Sequence, residues 1–109
     1  LLFLHFKLIN NIMKEYLDIN RLEEAASKLR AIAHPMRIAI IGYLEDEGEC
    51  SVTQIYEALE IEQATASHHL NILKSKGVLK SVRDGKKTFY SVKPDSILQI
   101  VECLNKCDN

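Results

Sequence analysis

The chain has 109 residues, 47% of them apolar and 27% charged, and a formal net charge of -1. That length suits one domain, which buries a limited core by itself and gains from a partner subunit. Three widely spaced cysteines do not fit a secreted disulfide framework; no apolar run reaches a membrane span; and the opening tract LLFLHFKLINNI lacks the basic lead and cleavage site of a signal peptide, so a cytoplasmic location is expected.

Residues 1–13 read as an N-terminal extension. Met13 precedes a well-formed helical sequence, which leaves two readings open. Either Met13 is the natural start and the first twelve residues come from upstream, or they are a native extension that lengthens the first helix at a dimer interface. No functional claim rests on them.

The first confident helix is expected over roughly Lys14–Ile32, with Ile19, Leu22, Ala26, Leu29 and Ala33 on one face. His34-Pro35 interrupts it, because proline disfavours helix in the residue before it and suits the first turn of a new one. The second helix therefore starts near Pro35, turns Ile38, Ile41, Tyr43 and Leu44 inward, and ends at Glu45-Asp-Glu-Gly48. Cys50–Val52 is a short extended piece. Ser51 stands three residues before Gln54, the spacing of a capping box, and opens a third helix with Ile55, Ala58 and Leu59 apolar. Glu60-Ile61-Glu62 is a tight turn. The fourth helix spans about Gln63–Lys76, with Ala66, Leu70 and Leu73 on one face and Gly77 as its stop.

Val78–Arg83, Asp84-Gly85 and Lys86–Val92 read as a β-hairpin, since Asp-Gly between alternating runs is a strong turn signal. Pro94-Asp95 then opens a last helix striped by Ile97, Ile100, Val101 and Leu104. The order is helix, helix, short strand, helix, helix, hairpin, helix. That is the layout of a mainly α winged helix-turn-helix: five helices with a β-hairpin wing.

A helix-turn-helix lays its second helix in the DNA major groove. The positions off the Ala66/Leu70/Leu73 face are Gln63, Thr65, Ser67 and His68, short hydrogen-bonding side chains near the helix N-terminus, where base edges and phosphates are met. Charge distribution agrees. From Gln63 to Lys93 there are seven basic residues and one acidic; from Glu45 to Glu62 there are seven acidic and none basic. Phosphate neutralisation needs only the local patch. Arg83, Lys86 and Lys87 at the hairpin tip would be the wing over the backbone or minor groove. A basic hairpin alone is usually just a solvated face; the helix-turn-helix spacing and the glycine stop beside it favour DNA.

Leu29-Arg-Ala-Ile-Ala-His-Pro-Met-Arg37, Ser51-Val-Thr-Gln-Ile55, Ala64-Thr-Ala-Ser-His-His-Leu70, Leu73-Lys-Ser-Lys-Gly-Val-Leu79 and Arg83-Asp-Gly-Lys-Lys-Thr-Phe-Tyr90 together resemble the ArsR/SmtB family of bacterial repressors, over about Leu22–Leu104. The resemblance implies a homodimer through the first and last helices, so that 14–109 is one DNA-binding and dimerisation domain. It also implies a pseudo-palindromic operator in double-stranded DNA, and repression relieved by an effector that the sequence does not name. Gln63, Thr65, Ser67 and His68 match the family's DNA-facing positions, and Arg83, Lys86 and Lys87 its wing. Glu62 stands where the family usually has a serine or similar cap, which weakens that cap.

Many relatives sense metals, but the usual sites look absent here. The Cys-x-Cys positions of the third helix are Ser51 and Thr53, with Cys50 one residue early. The Asp-x-His of the last helix is Asp95 followed by Ile97. No cofactor is therefore expected. Cys103 and Cys107, four apart on one helix face, are candidates for a soft-metal or redox pair, with Cys50 a further candidate; the favoured reading of Cys103 is a small apolar residue at the dimer interface. Adjacent His68 and His69 diverge by about 100° and do not share one ion easily, so His68 reads as DNA-facing and His69 as a partly buried hydrogen-bonding residue. His34 reads as a helix cap or surface residue and Met36 as packing. The alternatives to a DNA-binding regulator are a winged helix used for protein interaction, and a repressor responsive to thiol chemistry or metal through Cys103 and Cys107. An enzyme is not expected: there is no phosphate loop, nucleophile–base spacing or acid pair.

Overall fold

The computed structural model describes residues 1–95, less the side chains of residues 12–18. Four helices and three strands follow in order: α1 Leu2–Ile32, α2 Pro35–Glu47, β1 Cys50–Ser51, α3 Val52–Ala58, α4 Gln63–Ser75, β2 Leu79–Asp84 and β3 Lys87–Val92. Pro94 and Asp95 are helical, as expected for the opening of a last helix. The rest of the expected last helix, with Ile97, Ile100, Val101, Cys103, Leu104 and Cys107, lies outside the described residues.

The first helix begins at Leu2 rather than near Lys14 and passes unbroken through residues 13 and 14. Over 31 residues it is roughly 46 Å long. Its leading part carries exposed Leu2, Phe3, Leu4, Phe6, Leu8 and Ile9, which take no part in the core of the described residues. The expected inward stripe of α1 is only partly inward. Leu22 and Ala26 are half-buried, whereas Ile19 and Leu29 are 49% and 46% exposed. Ala31 is the buried residue of its last turn.

His34 caps α2, its Nδ1 accepting from the Met36 amide at 3.2 Å, and Pro35 occupies the first turn where its missing N–H costs nothing. The buried face of α2 is Ile40, Ile41 and Leu44. Tyr43 and Met36 pack at its edge, but Ile38, expected inside, is 55% exposed. This helix is apolar nearly all round, so spacing alone does not choose between faces.

Ser51 and Gln54 form the expected capping box at the start of α3. The core gathers Ile40, Leu44, Ile55, Leu70, Leu73, Val78, Leu79 and Tyr90, contributed by α2, α3, α4 and the sheet. Complete burial of a leucine or isoleucine stabilises by roughly 2–3 kcal/mol, so this cluster is what fixes α4 against the body. The sheet order is β1-β3-β2, antiparallel throughout, with Cys50 opposite Tyr90 and Leu79 opposite Val92. Asp84 pairs with Lys87, so the two-residue loop is Gly85-Lys86, one residue later than Asp84-Gly85. Positive φ occurs at Gly85 alone of the pair, the arrangement of a II′ turn, in which glycine belongs at the first central position.

Both helices of the helix-turn-helix end in the same motif. At α4, Val78 N donates to Leu73 O at 2.9 Å and Gly77 N to Lys74 O at 3.0 Å, with Gly77 left-handed at φ 77. At α3, Ile61 N donates to Tyr56 O at 3.1 Å and Glu60 N to Glu57 O at 3.3 Å, with Glu60 left-handed at φ 54. These are Schellman turns, and a side chain in the left-handed position costs on the order of 1–2 kcal/mol. Gly77→Ala should therefore lower unfolding stability by about 1–2 kcal/mol through backbone strain alone, since the added Cβ meets only Lys28 Cε at 3.8 Å. Glu60→Gly should raise stability by about 0.5–1 kcal/mol, less than the full strain because glycine gives up more chain entropy. Urea denaturation of both variants measures the pair, and opposite signs are the expected result.

Candidate nucleic-acid interface

The inward face of α4 is Ala66, Leu70 and Leu73, all fully buried, with His69 beside them. At about 100° per residue, burying that face turns the other edge outward. Gln63, Thr65 and His68 are exposed and Ser67 half-buried at the rim. Glu62 occupies the N-cap without making a side-chain capping bond, as its replacement of a serine implied, so it leaves the first amides of α4 uncapped by its own carboxylate.

The wing reaches the same side of the molecule. Only the base of β2 is buried, at Leu79, and the strand is progressively exposed toward Arg83 and Asp84. Ser51, Val52 and Thr53 from the start of α3, Gln63 and Ser67 from α4, and Lys86, Lys87 and Thr88 from the wing line one open cleft. Of the residues expected at a DNA surface, the structure thus brings Gln63, Ser67, Lys86 and Lys87 together. Thr65 and His68 lie exposed on α4 outside that cleft. Arg83 is exposed, and its Nε donates to the Gly85 carbonyl at 3.3 Å, folding the guanidinium over the turn. Thr53 and Thr88 are additions that sequence reasoning did not single out. They come from segments far apart in the chain, and only the antiparallel pairing of β1 with β3 sets them side by side.

The basic residues Lys74, Lys76, Lys80, Arg83, Lys86 and Lys87 are all exposed, as are the acidic residues of the Glu45–Glu62 run. The two charge blocks are therefore surface features. The polar edge of α4 shares its side with the cationic wing.

Cys50 lies in the core at 3% exposure. Burial, then the nearby Glu47 carboxylate, pushes its thiol above the usual range, and a hydrogen bond with the Tyr43 side chain only partly offsets this. A reactive cysteine needs the reverse, a depressed pKa and access. Ser51, at one of the Cys-x-Cys positions, has its hydroxyl occupied by the α3 cap, accepting from the Gln54 amide at 3.2 Å. Among the described residues, no group of three or more His, Cys, Asp or Glu side chains is placed to hold a metal, and no helix is long and apolar enough to cross a membrane.

The family model described as a helix-turn-helix domain matches residues 32–82, which span α2 to β2. An uncharacterized HTH-type transcriptional regulator of Methanocaldococcus jannaschii is 33% identical over 88 residues, 81% of this chain and 99% of that protein. The transcriptional repressor PagR of Bacillus anthracis is 38% identical over 84 residues, 77% of this chain and 84% of PagR. The chain belongs to the ArsR/SmtB family of helix-turn-helix regulators. Superposition agrees with this assignment. The PagR crystal structure matches with a TM-score of 0.65, covering 74% of this chain and 93% of that one. The homodimeric winged helix-turn-helix domain Mb0332 of Mycobacterium bovis, described as a possible ArsR-family regulator, matches at 28% identity and a TM-score of 0.66, covering 80% of this chain and 81% of that one. In this ArsR/SmtB member, α4 is the recognition helix and the β2–β3 hairpin the wing.

With the native protein, alkylation at neutral pH followed by peptide mass spectrometry should leave Cys50 unmodified, and labelling should appear on unfolding in urea. Rapid labelling of native Cys50 would reopen it as a sensor.

Proposed function

We propose that this chain is a transcriptional repressor that binds a pseudo-palindromic operator in double-stranded DNA as a cytoplasmic homodimer. The observation that carries the reading is the convergence of Gln63 and Ser67 with Lys86 and Lys87 on one cleft, beside a helix whose opposite face is wholly buried. The short polar side chains of α4 suit base edges, and the wing lysines suit the phosphates flanking them. Thr53, exposed in the first turn of α3, and Thr88 join them as hydroxyl donors to the backbone.

Dimerisation is supported by exposed Ile19 and Leu29 on α1, which a second copy would cover, and by the homodimeric state of the Mycobacterium bovis neighbour. A symmetric pair of recognition helices fits half-sites about one helical turn, roughly 34–36 Å, apart. The reading assigns no catalytic activity and no metal or cofactor to the chain. Cys103 and Cys107 remain its candidates for a thiol- or metal-responsive element, ahead of buried Cys50.

A gel shift with the DNA upstream of the protein's own gene tests the reading directly, and failure to prefer that DNA over a random duplex would favour a protein-interaction module instead. Lys86→Ala or Lys87→Ala should weaken binding to every duplex and reduce the slope of log K against log salt by about 0.9 per lost phosphate contact. Ser67→Ala or His68→Ala should cost on the order of 1–3 kcal/mol at the cognate site and less elsewhere. Equal losses on cognate and random DNA would remove these two residues as base readers.

A further inference from the structure

Behind the DNA-facing edge, three elements meet at a cluster of imidazole and guanidinium groups, of which His68 alone is among the proposed DNA contacts. His69 follows the exposed His68 on α4, yet is only 7% exposed. Arg37, in the first turn of α2, bridges two elements. Its Nε donates to His69 Nδ1 at 3.2 Å, and its Nη1 donates to the Ala31 carbonyl, in the last turn of α1, at 3.1 Å. The His34 ring, which caps α2, lies 4.8 Å from the His69 ring between centroids, and the His68 ring 5.5 Å from it. A histidine nitrogen that accepts from a guanidinium carries no proton, so His69 is the neutral tautomer protonated on Nε2.

We propose that Arg37 and His69 form a latch that positions the recognition helix against α1 and α2, and that a proton on His69 opens this latch and weakens DNA binding. Arg37 is a positioning residue here, acting through His69 rather than on DNA. The positioning half stands on the contacts alone; the effect on DNA rests on the function proposed above.

The chemistry of the latch is one-sided. A proton on Nδ1 removes the only acceptor that His69 offers Arg37, and sets a second cation at hydrogen-bond distance from the guanidinium in a buried place. The charged groups that act on His69 are His34 from the α1–α2 junction, Arg37 from α2 and His68 from α4 itself. Burial first, then these groups in that order, hold its pKa below the usual 6.5, so the latch is closed at neutral pH. As pH falls below about 6.5, any unlatched or unfolded state takes the proton first and the latched state loses ground. One proton sets a limit of about tenfold per pH unit. Direct phosphate contact by an imidazole has the opposite sign, since any proton it takes up adds a cation beside the phosphates.

Two measurements on the full chain test this. The first is the affinity for a labelled duplex of the upstream DNA, and for a random duplex, between about pH 8 and 5.5 at constant ionic strength. It compares wild type with His69→Asn, whose amide oxygen can replace the Nδ1 acceptor and does not titrate. A His68→Asn background removes the opposing contribution. Wild-type affinity should fall about tenfold more than that of His69→Asn across the range. Parallel pH profiles would overturn the coupling to DNA.

The second needs no DNA: an NMR titration of the His69 ring, with hydrogen exchange of the α4 amides. Arg37→Ala should raise the His69 midpoint, since the neutral ring loses its donor and a neighbouring cation. Arg37→Lys, which keeps the charge but cannot span both acceptors as the guanidinium fork does, should give a smaller rise and serves if Arg37→Ala does not fold. Relative to the intrinsic rate at each pH, α4 amides should lose protection in acid in wild type and not in His69→Asn. An unmoved midpoint in whichever Arg37 variant folds, or identical exchange, would overturn the latch. If wild type binds neither duplex at any pH, the regulator reading fails, and the NMR results decide the latch by themselves.

Discussion

Presentation of the recognition helix depends on what it hides. Ala66, Leu70 and Leu73 have no accessible surface, and they lock into a core shared by α2, α3 and the sheet. A helix so held has one permitted rotation. Turning it by one residue would draw Thr65 or Ser67 into an apolar site without partners and expose leucines, each step costing on the order of several kcal/mol. The polar edge facing outward is thus a consequence of core packing. The wing inherits its position from the same source. Val78, fully buried directly after the Gly77 turn, donates to Leu73 O and accepts from the Lys93 amide at 2.9 Å, so the helix end and the hairpin base share one residue.

Electrostatics then acts on a surface that carries two exposed blocks of opposite charge. The net charge of -1 predicts nothing about affinity for a polyanion, because the acidic block on α2, α3 and the turn and the basic block on α4 and the wing are both exposed and fall on different elements. Near DNA, one block is drawn in and the other pushed away, and the result is a preferred orientation more than a net attraction. Glu60 and Glu62 stand at the entry to α4, on the boundary of the two blocks. A glutamate at the cap of a recognition helix forgoes both the capping bond and some affinity for phosphate. Approach is thereby favoured from the wing side, where Lys86 and Lys87 meet Ser67.

Much of this was legible in the sequence. The Pro35 start, the Ser51–Gln54 box, the Gly77 stop and the Ala66/Leu70/Leu73 face are local patterns with local causes, and the structure places each where the pattern does. Misreadings arose where the local signal is degenerate. In α2, Ile38, Ile40 and Ile41 are equally apolar, and only contact with the rest of the core selects the last two. At the hairpin, Asp-Gly suggested a loop one residue early; the positive φ sits on Gly85 as first central residue, which moves the register. In α1, the helix continues through residues that precede the expected start. His69 was legible as a partly buried hydrogen-bonding residue, but its partner was not, since Arg37 is 32 residues away and unremarkable in its own helix. Thr53 and Thr88 were hidden for the same reason.

The tertiary contacts outside the core also say how a change at one end of the molecule would reach DNA. α4 is tied to α1 at two heights. Lys76 Nζ donates to Ser27 Oγ at 3.2 Å near the C-terminal end of α4, and Arg37 links His69, at its middle, to the Ala31 carbonyl. α1 is also the helix with exposed Ile19 and Leu29, the stripe assigned to a second copy. With α1 at the dimer contact, the spacing of the two recognition helices is set through these ties and not through the wing. A small rotation of one α1 against the other would be passed to α4 through these contacts, because the packed core does not deform continuously. The Lys76 tie is exposed and weak. The Arg37 tie is half-buried and charge-assisted, so it is the one through which such a displacement would be transmitted or lost.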